Sequence, residues 1–443
     1  MAELWMPLMM VALLFAGILS GYPVALVLGG VSTLFLLLSD LPLAFTNLML
    51  TRIYANALSN WLYVAIPMFI LMGLLLERTG LAWDAFRVSE RLLHRLPGHL
   101  SLTVLFVGGL LAATTGVVGA SVVLLSVLAL PRMLDAGYSA RASSGLISAS
   151  GTLAILMPPS VMLIILASLV AVPVGQLFRA ALVPSGLLIL LYTLYSLVGA
   201  WWKARQAGML GPAPGAHDPG DSGPWRDALA LSPFLVLIPL VLGAIITGVA
   251  TPTEASGIGV LAVLLFAWLT GKARSADVLG AAREAAIATA MIMLLVITAT
   301  CFSLIFKGVG GDRLILAALG LLGAGDWSVI LLILLLVFLL GFFLDWLEIS
   351  LILMPIFVPI VGQLDLGNGL AGGALMVWFA VLFAINLQTS FLTPPFGISL
   401  FYLKGAMGDR VATVDIYRGV IPFIAMQLLV LLLILLFPAV LFL

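Results

Sequence analysis

The sequence predicts an all-α polytopic membrane protein built from inverted repeats, each with a re-entrant helical hairpin and a broken helix. Hydrophobic residues make up 63% of the 443 positions and charged residues 9%, whereas a soluble domain carries roughly a quarter charged residues. Four apolar stretches are interrupted near their centres by polar residues or by paired prolines. These interruptions follow the same order in both halves of the chain, which indicates a repeat.

Eight uninterrupted apolar runs are long enough to cross a membrane, which takes about 20 residues. They lie near 4–20, 22–39, 61–77, 176–202, 228–249, 254–271, 286–306 and 420–442. No basic residue precedes the first run, so we interpret it as a retained span and not as a cleaved signal.

Two longer runs contain paired prolines and are predicted to be broken helices. The run 139–171 is interrupted by Pro158-Pro159, and the run 374–403 is interrupted by Pro394-Pro395. Counted with the uninterrupted runs, they give about ten crossings. A tilted arm at 42–58, or a different counting of one broken helix, would give eleven.

Two further apolar stretches are predicted to be re-entrant hairpins, in which two short helices meet at a tip inside the membrane. The first covers 100–131, with the tip Thr114-Thr115-Gly116, and the second covers 327–362, with Asp345 near its centre. Non-helical backbone at this depth requires shielding by protein or by a water-filled cavity.

The distribution of basic residues supports this topology. With a periplasmic N-terminus and hairpins that return to the side they entered from, fifteen of the nineteen Lys and Arg residues are cytoplasmic, as the positive-inside rule requires. The other four are Arg52, Arg179, Lys307 and Arg313. The first hairpin then enters from the cytoplasm and the second from the periplasm. Broken elements in corresponding positions of two inverted halves indicate a transporter's binding site.

Three charged or flexible segments connect these elements. The segment 203–227 contains Gly211-Pro212-Ala213-Pro214-Gly215, a composition typical of a linker. The segments 78–95 and 272–285 mix apolar and charged residues at helical spacing. They are either helices at the cytoplasmic interface or plain connecting loops.

Composition argues against several classes of function. The nineteen basic and nineteen acidic residues balance, so no net charge favours a nucleic acid as partner. Cys301 is the one cysteine, the three histidines do not cluster, and no phosphate-binding loop is present, so we expect no cofactor and no ATP site. An intramembrane enzyme would need paired catalytic groups, and none lies in the predicted spans.

The paired prolines suggest the chemistry of a cation site. A proline pair removes two amide donors and interrupts the helix before it, so we expect the preceding carbonyls to be free to bind a dehydrated sodium ion. The polar residues before the two pairs are Ser148, Ser150 and Thr152, and Asn386, Gln388, Thr389, Ser390 and Thr393. The alternative is that these side chains join helices by hydrogen bonds.

Two acidic positions fall within or beside the apolar runs, where ionised groups are costly and usually functional. Asp345 at the second tip either binds a cation or caps the helix that follows it. Glu254, in Thr251-Pro252-Thr253-Glu254, is predicted instead to stabilise the start of a helix through the helix dipole, with Thr251 as the N-cap.

These motifs together resemble the large membrane subunit of tripartite ATP-independent periplasmic (TRAP) transporters, along essentially the whole chain. The matching segments are Gly151-Thr152-Leu153 leading to Pro158-Pro159-Ser160, Ala250-Thr251-Pro252-Thr253-Glu254-Ala255, Asp345-Trp346 with Pro355-Ile356-Phe357 and Pro359, and Thr393-Pro394-Pro395 with Gly397. Each motif alone is weak, and their order over this length makes the resemblance specific.

The resemblance implies a sodium-coupled, elevator-type importer of an organic acid in the bacterial inner membrane. It implies two partners, which are a small four-helix membrane subunit and a periplasmic substrate-binding protein. The scaffold would then comprise 1–98 and 173–324, and the moving transport unit 99–172 and 325–405, followed by a C-terminal helix at 406–443. The alternative is a stand-alone, dimeric sodium/dicarboxylate symporter of the same superfamily, which would need no partner.

The resemblance also places the ligands at the tips and breaks. The residues expected to bind sodium are Thr114, Thr115, Gly116, Ser150, Gly151, Thr152, Asp345, Thr389, Thr393 and Pro394. Those expected to bind substrate are Ser121, Ser148, Pro158, Asn386, Gln388 and Ser390. The tip Thr114-Thr115-Gly116 and the segment Gln388-Thr389-Ser390-Phe391 look like the branch labelled for 2-oxo or hydroxy acids and chloroaromatics, and the resemblance as a whole also allows a dicarboxylate.

This chain departs from the family at the first tip, where many members carry an aspartate close behind the tip and this sequence has no acid. Backbone carbonyls are therefore expected to replace a carboxylate at that sodium site. No arginine lies near either tip or break in the sequence. We therefore expect helix N-termini and hydroxyls to hold the substrate carboxylate.

Overall fold

A computed structural model describes residues 4–39, 41–42, 44–96, 98–206, 224–321, 325–367 and 369–442. These residues form helices and connections, and no strand lies among them. Eight helical segments are long and apolar enough to cross a membrane: Trp61–Arg78, Val118–Asp135, Val174–Gly199, Asp227–Ile246, Pro252–Leu269, Ser275–Gly308, Gly372–Leu392 and Thr413–Leu436. The prediction of an all-α, multi-pass membrane protein is confirmed.

The N-terminal part contains five helices. They are α1 (Trp5–Leu19), α2 (Val24–Leu38), α3 (Ala44–Ile53), α4 (Ala65–Arg78) and α5 (Leu81–Leu93). A π-helical turn (Tyr54–Leu58) and a 3-10 turn (Trp61–Val64) join α3 to α4. The sequence left a helix and a loop as alternatives for 78–95, and the structure shows a helix there. Helix α5 starts after Gly80, whose φ is +72°.

The first predicted hairpin and broken helix follow directly. Helices α6 (His99–Thr115) and α7 (Val118–Asp135) are joined by Gly116 and Val117 and pack against each other. Helix α8 (Ala140–Thr152) continues into a 3-10 turn (Leu153–Ile155), and α9 (Val161–Leu169) begins after Pro158-Pro159.

The middle of the chain holds long helices. They are α10 (Val174–Gln206), α11 (Pro224–Ile246), α12 (Pro252–Leu269), α13 (Ser275–Gly308) and α14 (Gly311–Leu321). Of the two alternatives for 272–285, the structure shows a helix from Ser275 onward. The span predicted at 286–306 continues from it, because α13 runs unbroken for 34 residues. Most of the predicted linker 203–227 lies outside the described residues.

The second hairpin and break occupy the C-terminal part. The helices are α15 (Asp326–Leu340), α16 (Trp346–Val361), α17 (Gly372–Leu392), α18 (Ile398–Met407) and α19 (Thr413–Leu436). Residues 341–345 form the tip between α15 and α16, and Thr393-Pro394-Pro395-Phe396-Gly397 separate α17 from α18.

Helix α17 lies at the centre of the described structure. Every residue from Leu375 to Leu392 is buried, as expected for a helix that is apolar on all sides over most of its length. Helices α8, α9, α10, α15, α16 and α19 pack around it. A second group of helices, α2, α4, α12 and α13, packs together elsewhere, and α4 and α13 contact the first group.

Ion pairs join the charged ends of several helices. Arg91 of α5 binds Asp227 of α11 at 2.7 Å, and Arg132 of α7 binds Glu90 of α5. Arg78 pairs with Glu284 of α13, and Lys272 pairs with Asp84. All four cations are among the residues that the charge distribution assigns to the cytoplasmic side.

Candidate functional site

The tip of the first hairpin lies directly against the break that follows α8. Helix α6 ends at Thr115 and is followed by Gly116, whose φ of +61° strongly favours glycine. A β-carbon at Gly116 would come within 3.0 Å of the backbone nitrogen of Val161, the first residue of α9. The tip therefore fits there only without a side chain.

Protein hydroxyls already bind several carbonyls at the first break. Ser160 donates to the carbonyls of Ala154 and Ile155 at 3.1 and 3.0 Å, and Ser185 of α10 donates to Leu156 at 3.2 Å. The sequence led us to expect that these carbonyls would be free, and that expectation was wrong, because each accepts a hydrogen bond from a hydroxyl. A carbonyl oxygen has two lone pairs, so each keeps one for a cation.

The second tip lies against the second break in the same way. A β-carbon at Gly341 would come within 2.0 Å of the Ser390 hydroxyl in α17, and the rings of Phe343 and Phe396 lie 5.4 Å apart. Beyond this break, Ser399 donates to the carbonyl of Phe391 at 2.6 Å. Each hairpin tip is thus paired with the break of its own half.

The two halves meet at α18 and α7. The Tyr402 ring lies so close to Gly119 that a β-carbon there would be 2.8 Å from ring atom Cζ. Helix α18, which carries Tyr402, also packs against α8 and α17. Helices α8 and α17 also pack together, so both tips and both breaks share one region.

Three of the predicted site residues have buried polar atoms without a partner among the described residues. They are the hydroxyls of Ser148 and Ser150 and both amide atoms of Gln388, all completely buried. A buried polar group without a hydrogen bond costs about 1–3 kcal/mol, and native proteins rarely tolerate several together. These groups are therefore suited to contact a ligand, an ion or ordered water.

Most other predicted site hydroxyls donate within their own helix. Thr114 donates to Leu110, Thr152 to Ala149, Thr389 to Ile385, Ser390 to Leu387 and Thr393 to Thr389, at 2.7–3.1 Å. A hydroxyl that donates its proton keeps lone pairs that can coordinate a cation. These residues can therefore form hydrogen bonds within their helices and coordinate a cation at the same time.

The remaining predicted residues have mixed surroundings. Asn386 donates to the Leu334 carbonyl of α15 at 2.7 Å, which joins α17 to the second hairpin. Ser121, Gly151 and Pro158 are buried, whereas Pro394 is half-buried. Thr115 ends α6, and its side chain lies outside the description.

Asp345 and Glu348 form a reciprocal capping box at the start of α16, and the Asp345 amide donates to the Glu348 carboxylate at 3.2 Å. The structure thus supports the capping alternative for Asp345, while its exposed carboxylate can still meet a cation. The capping box predicted for Thr251 and Glu254 is confirmed at the start of α12.

Two buried polar residues beside the first break escaped the sequence reasoning. Gln427, completely buried in α19, donates to the Tyr192 hydroxyl of α10 at 2.9 Å and reaches Thr152 at 3.5 Å. A single glutamine in the apolar run 420–442 was the available signal. The sequence gave no signal for Tyr192, because tyrosines are common near the ends of membrane spans.

Three helices begin at the tips and breaks without the usual caps. They are α7 at Val118, α9 at Val161 and α18 at Ile398, and none has a side-chain cap or an acidic residue in its first turn. Free amide donors and the positive end of the helix dipole make such starts suitable for an anion. The oxygen-rich surroundings suit a hard cation at the same time.

The fold and this site define a class: a multi-pass helical membrane protein with broken helices facing hairpin tips, as in secondary transporters. Residues 10–440 match the model of the tripartite ATP-independent periplasmic transporter, DctM component, and the chain belongs to this family. The predicted resemblance is confirmed.

Individual relatives are distant but cover most of this chain. It is 26% identical over 441 residues to the C4-dicarboxylate TRAP transporter large permease protein DctM of Rhodobacter capsulatus, covering 96% of each. It is 27% identical over 391 residues to the isethionate TRAP transporter permease protein DctMQ of Oleidesulfovibrio alaskensis, covering 88% of this chain and 59% of that protein.

A solved structure shares the fold. The YdaH transporter of Alcanivorax borkumensis superposes with a TM-score of 0.62 over 97% of both chains, at 16% sequence identity. At this identity the similarity concerns the fold alone.

Proposed function

We propose that the chain is the large permease of a sodium-coupled secondary transporter that takes up an organic acid across the inner membrane. The observation that carries the proposal is the region where two tips meet two breaks around the unpartnered Ser148, Ser150 and Gln388. Family membership supports the transporter class, and the oxygen-rich donor set supports sodium.

The uncapped starts of α7, α9 and α18 support an anionic substrate. A carboxylate can accept hydrogen bonds from the free amides, and the helix dipoles favour its charge. Two relatives are named for C4-dicarboxylates and for isethionate, and both kinds of solute are anions. A dicarboxylate or a 2-oxo or hydroxy acid is therefore the substrate class we infer.

Substrate would be delivered by a periplasmic binding protein, and a small four-helix membrane subunit would complete the complex. Sodium at the tips and breaks would order the broken helices, because the ion would compensate oxygen atoms that otherwise lack partners. The transport unit would then slide against the scaffold. A completed site thus couples the ion to the solute.

The test is uptake of radiolabelled succinate and pyruvate into proteoliposomes. We expect uptake only when the chain is reconstituted with a small four-helix membrane subunit and a periplasmic binding protein from the same organism, and only with an inward sodium gradient. Unchanged uptake in potassium buffer would refute sodium coupling. Uptake by the chain alone would instead establish a stand-alone symporter.

A further inference from the structure

A second polar cavity lies away from the tips and breaks. It encloses about 390 Å³ between α3, the π-helical turn and α13 on one wall and the ends of α9 and α16 on the other. Two cations line it, Arg52 and Lys307, together with polar side chains from Asn56, Asn60 and Ser303. No acidic residue is among its lining residues.

The two cations are not neutralised by the protein. Arg52 and Lys307 make no ion pair with any residue that the structure describes. Arg78, Arg132 and Lys272 at the opposite ends of the helices each bind a carboxylate. Unpaired cations beside low-dielectric walls produce a positive potential that attracts anions.

The position of the cavity fits solute arriving from the periplasm. Arg52 and Lys307 are two of the four basic residues that the charge distribution assigns to that side. Arg52, Asn56, Lys307 and Pro359 are exposed at its rim, so the cavity opens to the surface.

The cavity also spans the boundary along which the proposed transport unit would move. Asn60, before α4, donates to the Ser168 hydroxyl of α9 at 2.8 Å. Ser303 and Lys307 are four residues apart on α13 and so share one face of that helix. A ligand here would contact both the scaffold and the transport unit.

We propose that this cavity is a receiving site for a small organic carboxylate, which Arg52 and Lys307 bind before it reaches the helix starts at the tips and breaks. The inference rests on the organic-acid transport proposed above and adds a site outside the tips and breaks. A carboxylate matches the guanidinium and ammonium donors, and the surrounding amides and hydroxyls can complete its hydrogen bonds.

The test uses the reactivity of an engineered thiol, which needs no knowledge of the natural substrate. Cys301, the only cysteine, is replaced by serine, and Ser303→Cys then supplies one half-buried thiol in the cavity. We measure its reaction rates with the anionic reagent MTSES and the cationic reagent MTSET in phosphatidylcholine vesicles. Ser328→Cys, on the exposed first turn of α15, is the control position.

We expect the MTSES/MTSET rate ratio at position 303 to exceed that at 328. The double substitution Arg52→Gln and Lys307→Gln should lower the ratio at 303 about tenfold and leave 328 unchanged, because the attraction depends on nearby charges. Succinate should slow MTSES only in the protein that retains both cations. An equal ratio at both positions, an unchanged ratio in the double variant, or no reaction at 303 would each overturn the proposal.

Added phosphatidylglycerol distinguishes a lipid headgroup from a free carboxylate. Protection by this lipid without protection by succinate would overturn the proposal. The thiol readout is independent of transport, so a failure of sodium-dependent uptake would count against the proposed function and not against this site. Where uptake is measurable, Lys307→Gln should raise KM for the solute more than it lowers kcat.

Discussion

Gly145 of α8 and Gly419 of α19 touch through their backbones. A β-carbon on Gly145 would lie 2.1 Å from the Gly419 carbonyl oxygen, and one on Gly419 would lie 2.1 Å from the Arg141 carbonyl oxygen. Helix α19 also packs along α17, and Gln427 reaches Thr152. The C-terminal helix is therefore packed on the broken helices, and we propose that it moves with the transport unit.

Gly419→Ala should lower the apparent melting temperature of the purified protein by several degrees. The added methyl group would overlap backbone atoms of α8, which cannot move aside as a side chain can. Such overpacking costs roughly 1–3 kcal/mol. Thermal unfolding in detergent is the measurement.

The matched control for this substitution is Gly186→Ala in α10, where no atom lies within 4 Å of the new β-carbon. This change should be neutral or stabilising, because alanine is more favourable than glycine in the interior of a helix. Equal melting temperatures for the two variants would disprove the tight crossing of α8 and α19.

The sequence was sufficient for the main elements because interruptions in apolar runs have a local cause. The prolines at 158–159 and 394–395 and the glycine at 116 locate both breaks and the first tip within a few residues. The continuity of α13 through residues 275–285, which the sequence did not show, has a tertiary cause. Glu284 pairs with Arg78 of α4, so the charged turn is stabilised and α13 continues through it.

The site could be predicted only in part, because hydrogen-bond partners come from helices distant in sequence. Ser185 binds the Leu156 carbonyl from α10, and Gln427 approaches Thr152 from α19. Sequence spacing within a helix carries no information about such partners. The polar pattern identified which residues face the interior, but not which of them already have a protein partner.

Gln388→Met should stabilise the sodium-free protein and abolish sodium-dependent uptake. Both amide atoms are buried without a described partner, so an apolar side chain of similar length removes a desolvation penalty of about 1–3 kcal/mol. The melting temperature without sodium should rise, while the ligand contact is lost.

Asn386→Leu, two residues earlier in α17, is the contrasting variant. Its amide donates to Leu334 at 2.7 Å, and the substitution leaves that carbonyl without this donor. We therefore expect a lower melting temperature. Destabilisation by Gln388→Met as well would show that Gln388 has a structural partner and is not a ligand.

Gln427→Leu should destabilise the protein through Tyr192. The buried tyrosine hydroxyl loses its amide donor at 2.9 Å, and an orphaned buried group costs about 1–3 kcal/mol. Adding Tyr192→Phe removes the orphaned hydroxyl and should recover part of the loss. Strictly additive effects in this double-mutant cycle would show that the two side chains do not interact.

A cross-link between positions 60 and 168 should block transport if α9 moves relative to the scaffold. The hydrogen bond between Asn60 and Ser168 shows that the two side chains are adjacent. In the Cys301→Ser background, Asn60→Cys and Ser168→Cys should be joined by a short bifunctional methanethiosulfonate. Uptake should then fall and return after reduction, and each single-cysteine variant treated alike is the control. Full uptake in the cross-linked protein would exclude sliding at this boundary.

Sodium should stabilise the protein against heat more than potassium at equal ionic strength. An ion that binds only the folded state adds about 2.7 kcal/mol at a hundred times its Kd. Thr389→Ala and Asp345→Ala remove oxygen atoms beside the second break and tip, so the sodium concentration needed for half of this stabilisation should increase in both variants. Ser232→Ala, in α11, removes a hydroxyl that donates only to Leu229 of its own helix and should leave the sodium response unchanged. A sodium response unaltered in both site variants would exclude Thr389 and Asp345 as ligands, because removing a coordinating oxygen must weaken ion binding.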